Sequence, residues 1–387
     1  MENLKYISEL SKCVRCGSCK AFCPTYNEGL TEGMGARGRL TLLRGLLQQQ
    51  LKPTDLIIER IFSCILCGAC ESLCSSQVQI TEAVYHGRRL LMPLDHRRRY
   101  LRHFVRFTLK RPLLSYRVMK MLQYVAPFLL KKKTIPFRIK VPPQPLRDDV
   151  QVYKPDKRVG RVGLFTGCAV NFLYPHLGAC LINVLLRLGY EVILPKGEVC
   201  CGAPLRGLGL EEEAIKMAEK NQKIFSRLNI DAVLSLCPTC LVALKNHYPK
   251  LIGEGIENAT DVSSFLCQTL PSIPSRPPRS IVTATYHDPC HLMYSLGIKK
   301  EPRQLIQHVG VRLLEAEGEG CCGFGGIFSL QFQEVSQSLR DKRINTFLRN
   351  DADAIVTACP GCMTQLSSAL PERQVLHVIE LVEESIC

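Results

Sequence analysis

The stretch Asp231-Ala-Val-Leu-Ser-Leu-Cys237-Pro-Thr-Cys240 returns as Asp353-Ala-Ile-Val-Thr-Ala-Cys359-Pro-Gly-Cys362, with its cysteines 122 residues further on. In each copy a short apolar run feeds a Cys-x-x-Cys loop, the pattern of a buried strand ending at a ligand loop. The register extends outward. Cys168 returns as Cys290 after 122 residues, and Cys200-Cys201-Gly202 returns as Cys321-Cys322-Gly323 after 121. Five cysteines holding register twice mark an internal repeat.

Around these cysteines strands and helices alternate. In the first copy Val159–Phe165, Glu191–Leu194 and Asp231–Leu236 read as strands. Leu177–Leu188 and Leu210–Leu228 have helical apolar spacing, the latter with three acids in its first turn that suit the helix dipole. The second copy repeats the order with strands at Ile281–Tyr286, Val311–Ala316 and Ala354–Ala358 and helices at Leu305–Val309 and Gln333–Leu348. Alternation of this kind implies an α/β domain. The cysteines fall at strand C-terminal ends, where such sheets place their sites.

The front of the chain carries a different pattern. Cys13-x-x-Cys16-x-x-Cys19-x-x-x-Cys23-Pro24 is followed by Cys64-x-x-Cys67-x-x-Cys70-x-x-x-Cys74-Ser75. Three closely spaced cysteines wrap three corners of a [4Fe–4S] cube, and the fourth points away to the partner cube. The spacing therefore assigns Cys13, Cys16, Cys19 and Cys74 to one cluster, and Cys64, Cys67, Cys70 and Cys23 to the other. Structural zinc is the alternative, but zinc favours two separated ligand pairs. Leu40–Leu51 and Asp55–Phe62 read as helices between the two runs. The expected fold class is thus multidomain: a mainly α-helical two-[4Fe–4S] ferredoxin module followed by a duplicated α/β cysteine-rich pair.

The expected boundaries are 1–85 for the ferredoxin module, 86–157 for a basic helical linker, and 158–272 and 280–387 for the repeats. A Pro/Ser/Arg stretch, Pro271 to Ser280, separates the last two. The net charge of +15 is confined to one segment: residues 86–140 hold 16 Lys or Arg against the single acid Asp95, and the rest of the chain balances. Leu113–Leu130 in that segment has helical apolar spacing, with Met119, Leu122, Val125 and Leu129 in step. A basic amphipathic helix can lie on an anionic membrane, dock an acidic partner subunit or simply be a solvated face. Nothing nearby forms a nucleic-acid reading module, so no nucleic-acid partner is expected.

Twenty-one cysteines in tight spacings favour metal over cystine and a reducing compartment. The polar start, Met1 to Lys12, contains no apolar signal segment, and no run of 18 apolar residues occurs. The expected location is cytoplasmic, with peripheral attachment to the inner membrane face. No Gly-x-Gly-x-x-Gly follows a strand, so no flavin or nicotinamide site is implied in the chain itself. A chain of one-electron carriers without a hydride acceptor calls for a partner that supplies electrons. Cys180 and Cys267 lie in apolar stretches and read as buried thiols, while Cys387 is terminal.

The twice-present pattern Cys … Cys-Cys-Gly … Cys-x-x-Cys resembles the cysteine-rich "CCG" domains of heterodisulfide reductases. With the front module it looks like the iron–sulfur subunit of glycolate oxidase and of related D-lactate dehydrogenases. Gly35-Ala-Arg-Gly-Arg-Leu40, Cys64-Ile-Leu-Cys67 and Tyr286-His-Asp-Pro-Cys290-His-Leu292 strengthen the likeness. The resemblance implies a non-cubane cluster on Cys168, Cys200, Cys201, Cys237 and Cys240, and a second on Cys290, Cys321, Cys322, Cys359 and Cys362. Zinc remains the alternative metal there. Gly202 and Gly323 would allow close backbone approach, and Gly325 and Gly326 would offer amide hydrogens. His287 and His291 flank Cys290 and could contact the second cluster or be structural.

The resemblance further implies an oxidoreductase subunit that works with an FAD-containing dehydrogenase subunit acting on a 2-hydroxy acid such as glycolate or D-lactate. Electrons would then leave to a quinone or another acceptor. Two alternatives stand beside it: a chain that itself reduces a disulfide at the Cys-Cys-Gly sites, and a zinc-stabilised scaffold. No catalytic residue is assigned.

Overall fold

A computed structural model describes residues 2–129, 141–147, 151–270, 276–279 and 281–386. Up to residue 129 every regular element described is helical. The front module packs Leu40, Leu43, Ile58, Ile61, Phe62, Val78, Ile80 and Val84 into one buried core. Its helices Ala36–Leu47 and Asp55–Phe62 match the apolar spacing, and Thr54 caps the second by accepting from Ile57 N at 3.3 Å. The Gly-Ala-Arg-Gly-Arg motif starts the first of these helices. A Cβ on Gly38 would stand 1.9 Å from Glu32 O, so only glycine lets the helix lie against the backbone before it.

Nine strands form two sheets among the described residues. Strands β1 (Gln151–Tyr153), β2 (Gly160–Leu164), β3 (Tyr190–Leu194), β4 (Ala232–Ser235) and β5 (Ala259–Asp261) lie in the order β1-β3-β2-β4-β5. Strands β6 (Thr283–His287), β7 (Arg312–Leu313), β8 (Ala354–Thr357) and β9 (Gln374–His377) lie in the order β7-β6-β8-β9. The two orders are the same once β1 is set aside, which is the repeat seen as topology. All pairings are parallel except β1 with β3. Strand β1 falls in the stretch read as linker. It is a short edge strand with no alternating pattern, and only its pairing to β3 reveals it. Strands β5 and β9 likewise carry no cysteine loop to signal them.

The repeats face each other about an approximate two-fold axis. Helix Pro175–Arg187 packs on Val378–Ile386, and Val262–Thr269 packs on Glu301–His308, each helix meeting the non-equivalent helix of the other copy. A single buried core runs across this interface, from Leu181, Leu185 and Val262 to Ile306, Ile379 and Val382. Cys180 and Cys267 are half-buried against that core rather than fully enclosed, and Cys267 Sγ donates to Glu301 O at 3.2 Å. Cys387 and residue 130 of the predicted basic helix lie outside the described residues. The helix itself is found at Pro112–Leu129. Among the described residues no helix is long and apolar enough to cross a membrane.

Candidate metal centres

Four groups of thiols come together. Cys13, Cys16 and Cys19 lie on the loop that follows helix Glu2–Ser11 and share one cavity with Cys74. Cys64, Cys67 and Cys70 share another with Cys23. Each cavity is otherwise walled mainly by aliphatic side chains and backbone, with no carboxylate or imidazole. Four sulfurs around an apolar void are a donor set that fits a four-iron cube, and the shortage of other donors argues against hard cations. Burial pushes the Cys67 and Cys70 thiols well above their ordinary range, reinforced by neighbouring cysteines. Cys16 is exposed, and the Ser18 hydroxyl beside it lowers its pKa.

Two arginines of the Gly-Ala-Arg-Gly-Arg motif brace these loops. Arg37 pairs with Glu32 at 2.7 Å and donates to Arg15 O at 2.9 Å in the first thiol loop. Arg39 is fully buried and donates to Arg60 O, Thr25 Oγ1 and Ser63 Oγ at 2.8, 3.0 and 3.0 Å. It thereby ties the turn after Cys23 to the turn before Cys64. Arg88 adds bonds to Phe62 O, to Cys64 O and, at 2.9 Å, to Gly207 O in the first repeat.

In each repeat the thiols sit beyond the C-terminal ends of three neighbouring strands, β3-β2-β4 in the first and β7-β6-β8 in the second. Cys168 follows β2, Cys200 and Cys201 follow β3, and Cys237 and Cys240 follow β4. These five are in contact in the order Cys168, Cys200, Cys201, Cys240, Cys237. The second repeat gives the order Cys290, Cys321, Cys322, Cys362, Cys359, with Cys322 Sγ and Cys362 Sγ 3.3 Å apart. Five clustered sulfurs per site fit an iron–sulfur cluster and exceed the four donors of structural zinc. In each repeat some sulfurs are held low by thiols that donate to them, Cys359 beside Cys362 among them. Cys201 falls to about 6 beside Cys200 and Cys240, and Cys321 falls well below its usual value beside Cys290 and Cys322.

Three of the site cysteines precede proline, and the pairing has one geometry. Cys23, Cys237 and Cys359 each hold the position before a helix whose first residue is Pro24, Pro238 or Pro360. Proline fits there because the first helical N–H has no partner, and the helix then points its positive end toward the thiols. Cys74 has Ser75 after it and no such helix.

The two repeats differ at equivalent positions. Phe165 and Asn221 of the first become His287 and Arg343 of the second. Asn221 clamps the Cys-Cys turn by accepting from Val199 N and donating to Val199 O and Cys200 O at 2.9, 3.2 and 3.2 Å. His287 instead brings a ring nitrogen within 4.8 Å of the Cys322 and Cys362 sulfurs, and Arg343 Nε donates to its Nδ1 at 3.3 Å. His291 turns away from the cysteine it follows and bridges Thr239 and Leu66. Glu198 accepts from Thr166 Oγ1 and Gly167 N at 3.0 and 2.8 Å and pairs with Arg147, locking the turn before Cys168. The bracing roles of Asn221, Glu198, Arg39 and Arg88 escape a reading of the sequence. Each looks like an ordinary polar or charged residue locally, and its role depends on partners far along the chain.

The 4Fe-4S dicluster domain family matches residues 9–78, and the cysteine-rich domain family matches twice, over 162–245 and 284–367. This chain joins a 4Fe-4S dicluster domain to two cysteine-rich domains. It is 27% identical to the glycolate oxidase iron–sulfur subunit of Escherichia coli, over 98% of this chain and 95% of that protein. It is 28% identical to one subunit of the dihydromethanophenazine:CoB–CoM heterodisulfide reductase of Methanosarcina acetivorans, again over 98% and 95%. One subunit of the fumarate reductase (CoM/CoB) of Methanothermobacter marburgensis is 27% identical over 99% of this chain and 73% of its own. These relatives are oxidoreductase subunits, and this iron–sulfur protein is one as well, with an electron-transfer role. A hypothetical protein from Helicobacter pylori shares the fold, with a TM-score of 0.55 and 10% identity over 100% of this chain and 72% of that one.

The iron–sulfur protein's second front cavity abuts the second repeat. Cys67 is packed in one buried cluster with Cys290 and Cys321, and Ile65 lies so close to Gly325 that a Cβ there would meet it at 2.5 Å. The first repeat is held to the front module through arginines instead, chiefly the Arg206–Glu82 pair at 2.6 Å.

Proposed function

We propose that this chain is the electron-transfer subunit of a flavin-dependent 2-hydroxy-acid dehydrogenase, accepting electrons from an FAD-containing partner and passing them to a quinone or another acceptor. Cys13, Cys16, Cys19 and Cys74 hold one cubane [4Fe–4S] cluster, and Cys64, Cys67, Cys70 and Cys23 hold the other. Cys168, Cys200, Cys201, Cys237 and Cys240 hold a non-cubane cluster, and Cys290, Cys321, Cys322, Cys359 and Cys362 hold its counterpart. Bound there, the clusters supply one-electron transfer at potentials set by their surroundings. The observation that carries this reading is the direct packing of the Cys67 loop on Cys290 and Cys321. It leaves no other element between a front site and a repeat site. The exposed Cys13–Cys19 loop is the natural place for a partner, because Cys16 and Val14 stand at the surface. The full-length likeness to the glycolate oxidase subunit supports the choice of partner.

A second reading has a specific observation behind it. Both repeats retain all five cysteines, and full-length relatives carry the heterodisulfide reductase name. The chain would then reduce a disulfide at these sites. Anaerobic purification separates the proposals. About sixteen irons per chain are expected if all four sites are filled, whereas about two zincs and no iron in the repeats would remove the second pair of clusters. Co-purification with a flavoprotein, with 2-hydroxy-acid-dependent dye reduction, supports the first reading. Disulfide turnover by the isolated chain with a reduced dye, and no flavoprotein requirement, overturns it.

A further inference from the structure

The basic segment divides into an inner and an outer face. Its inner arginines are structural: Arg98 and Arg102 are buried and pair with Asp95, Arg98 also binds Glu59 at 2.7 Å, and Arg102 donates to Leu208 O at 3.2 Å. Val105 is buried, and Leu101 and Leu109 pack against the first repeat. The outer face of helix Arg99–Lys110 carries Tyr100, Phe104 and Phe107, spaced four and three residues apart and 86%, 60% and 49% exposed. The next helix, Pro112–Leu129, continues the stripe with Leu114, Val118 and Met121 at the same spacing, and Met121 is 63% exposed. The two helices pack on one another. Exposed cations are interleaved with these side chains: Arg99, Lys110, Arg111 and Arg117. No acid occurs in the sequence from His96 to Arg147.

We infer that this pair of helices is a peripheral binding surface for an anionic lipid bilayer. The argument is one of matched chemistry. Large aromatic and aliphatic side chains left in water cost free energy that burial at the acyl boundary recovers, on the order of 25 cal/mol per Å². Arg and Lys carry their charges on long apolar stems, so they can reach anionic headgroups while their neighbours sink deeper. An acidic protein would satisfy the cations but needs a shaped apolar partner for each ring, whereas a bilayer supplies both layers over the whole face. The absence of acids removes the repulsion that would otherwise oppose approach. Neither helix can span the membrane, so the surface lies on the bilayer and leaves the thiol sites outside it. The face does not depend on the redox partner proposed above, since it lies on other residues.

The test is flotation of the full-length, anaerobically purified protein with vesicles of phosphatidylcholine alone or with about 30% phosphatidylglycerol, the anionic fraction supplying the surface potential. Binding to the anionic vesicles is expected to be about tenfold tighter or more, and to weaken as salt is raised to about 0.5 M. Phe104→Glu with Phe107→Glu, and separately Arg111→Glu with Arg117→Glu, should each lower binding about tenfold or more at unchanged cluster absorbance. The inference is overturned by equal partition onto neutral and anionic vesicles, by no partition onto either, or by wild-type binding in both double variants. Capture of polyglutamate without vesicle binding would assign the face to an acidic protein and overturn it too.

Discussion

His291 Nδ1 stands 2.9 Å from Thr239 Oγ1, and the other ring nitrogen, Nε2, stands 3.0 Å from Leu66 O. A carbonyl can only accept, so Nε2 carries the proton, and Nδ1 accepts from the threonine hydroxyl. One neutral ring thus joins the Cys237-Pro-Thr-Cys240 loop, the Cys64-Ile-Leu-Cys67 loop and the helix that follows Cys290. Burial keeps the imidazole neutral by lowering its pKa.

Removing that ring strands a buried carbonyl and a hydroxyl. His291→Ala is expected to cost about 1–3 kcal/mol of stability, read by anaerobic denaturant unfolding. An unchanged midpoint would mean that the three loops are held together without it.

The crossed assignment of the front cysteines makes a spectroscopic prediction. Cys23→Ala and Cys70→Ala should damage the same cluster and give matching paramagnetic spectra after reduction. Cys74→Ala and Cys16→Ala should share the other pattern. If Cys23→Ala instead matched Cys16→Ala, each run of four cysteines would hold its own cube and the cavity groupings would mislead.

Arg206 and Glu82 form a buried bidentate pair at 3.1 and 2.6 Å between the first repeat and the front module. Burial pushes the Glu82 carboxyl up, but Arg206 and its hydrogen bonds outweigh that and leave it below the ordinary range. Glu82→Ala leaves the buried guanidinium with Glu211 alone, 3.5 Å away, and should cost about 3 kcal/mol, while Glu82→Leu with Arg206→Met should recover most of the loss. A double variant no more stable than the single one would show that the pair contributes more than neutralisation.

His377 supplies a pH dependence. It is buried, its Nε2 donates to Leu236 O of the other repeat at 3.2 Å, and burial pushes its pKa down to about 4. The unfolded chain takes up that proton near pH 6.5, so the stabilisation is complete above about 6.5 and is lost as pH falls toward about 4. Its size is on the order of 3 kcal/mol. Asp261 works in the opposite sense. Burial raises it to about 6, so its contribution weakens stability as pH rises from about 4 to about 6. Comparing His377→Asn with the parent across pH 5–8 isolates the histidine. The variant should lose stability less steeply on acidification, and an identical slope would rule out His377 as its source.

Cysteine spacing made the two front thiol sets legible, since short intervals are a local signature, while the five-cysteine sets of the repeats were implied by the family resemblance. The repeat, the strand–helix alternation and helices such as Gln333–Leu348 were legible for a similar reason: periodicity is written into neighbouring residues. The short edge strand Gln151–Tyr153 and the buried arginines were not. A three-residue edge has no period to detect, and a buried Arg39 or Arg88 looks like any surface cation until its carbonyl partners are found.

By itself, then, the sequence determined which cysteines fall in short spacings and that the five of one half recur in register in the other. Tertiary structure alone decided that the Cys67 loop of the second front site packs on Cys290 and Cys321 of the second repeat. It also decided which cations of the basic segment turn inward to carbonyls and which face solvent beside Tyr100, Phe104 and Phe107. The physical reason is that both outcomes depend on packing between segments far apart along the chain, where no local pattern of residues records the neighbour.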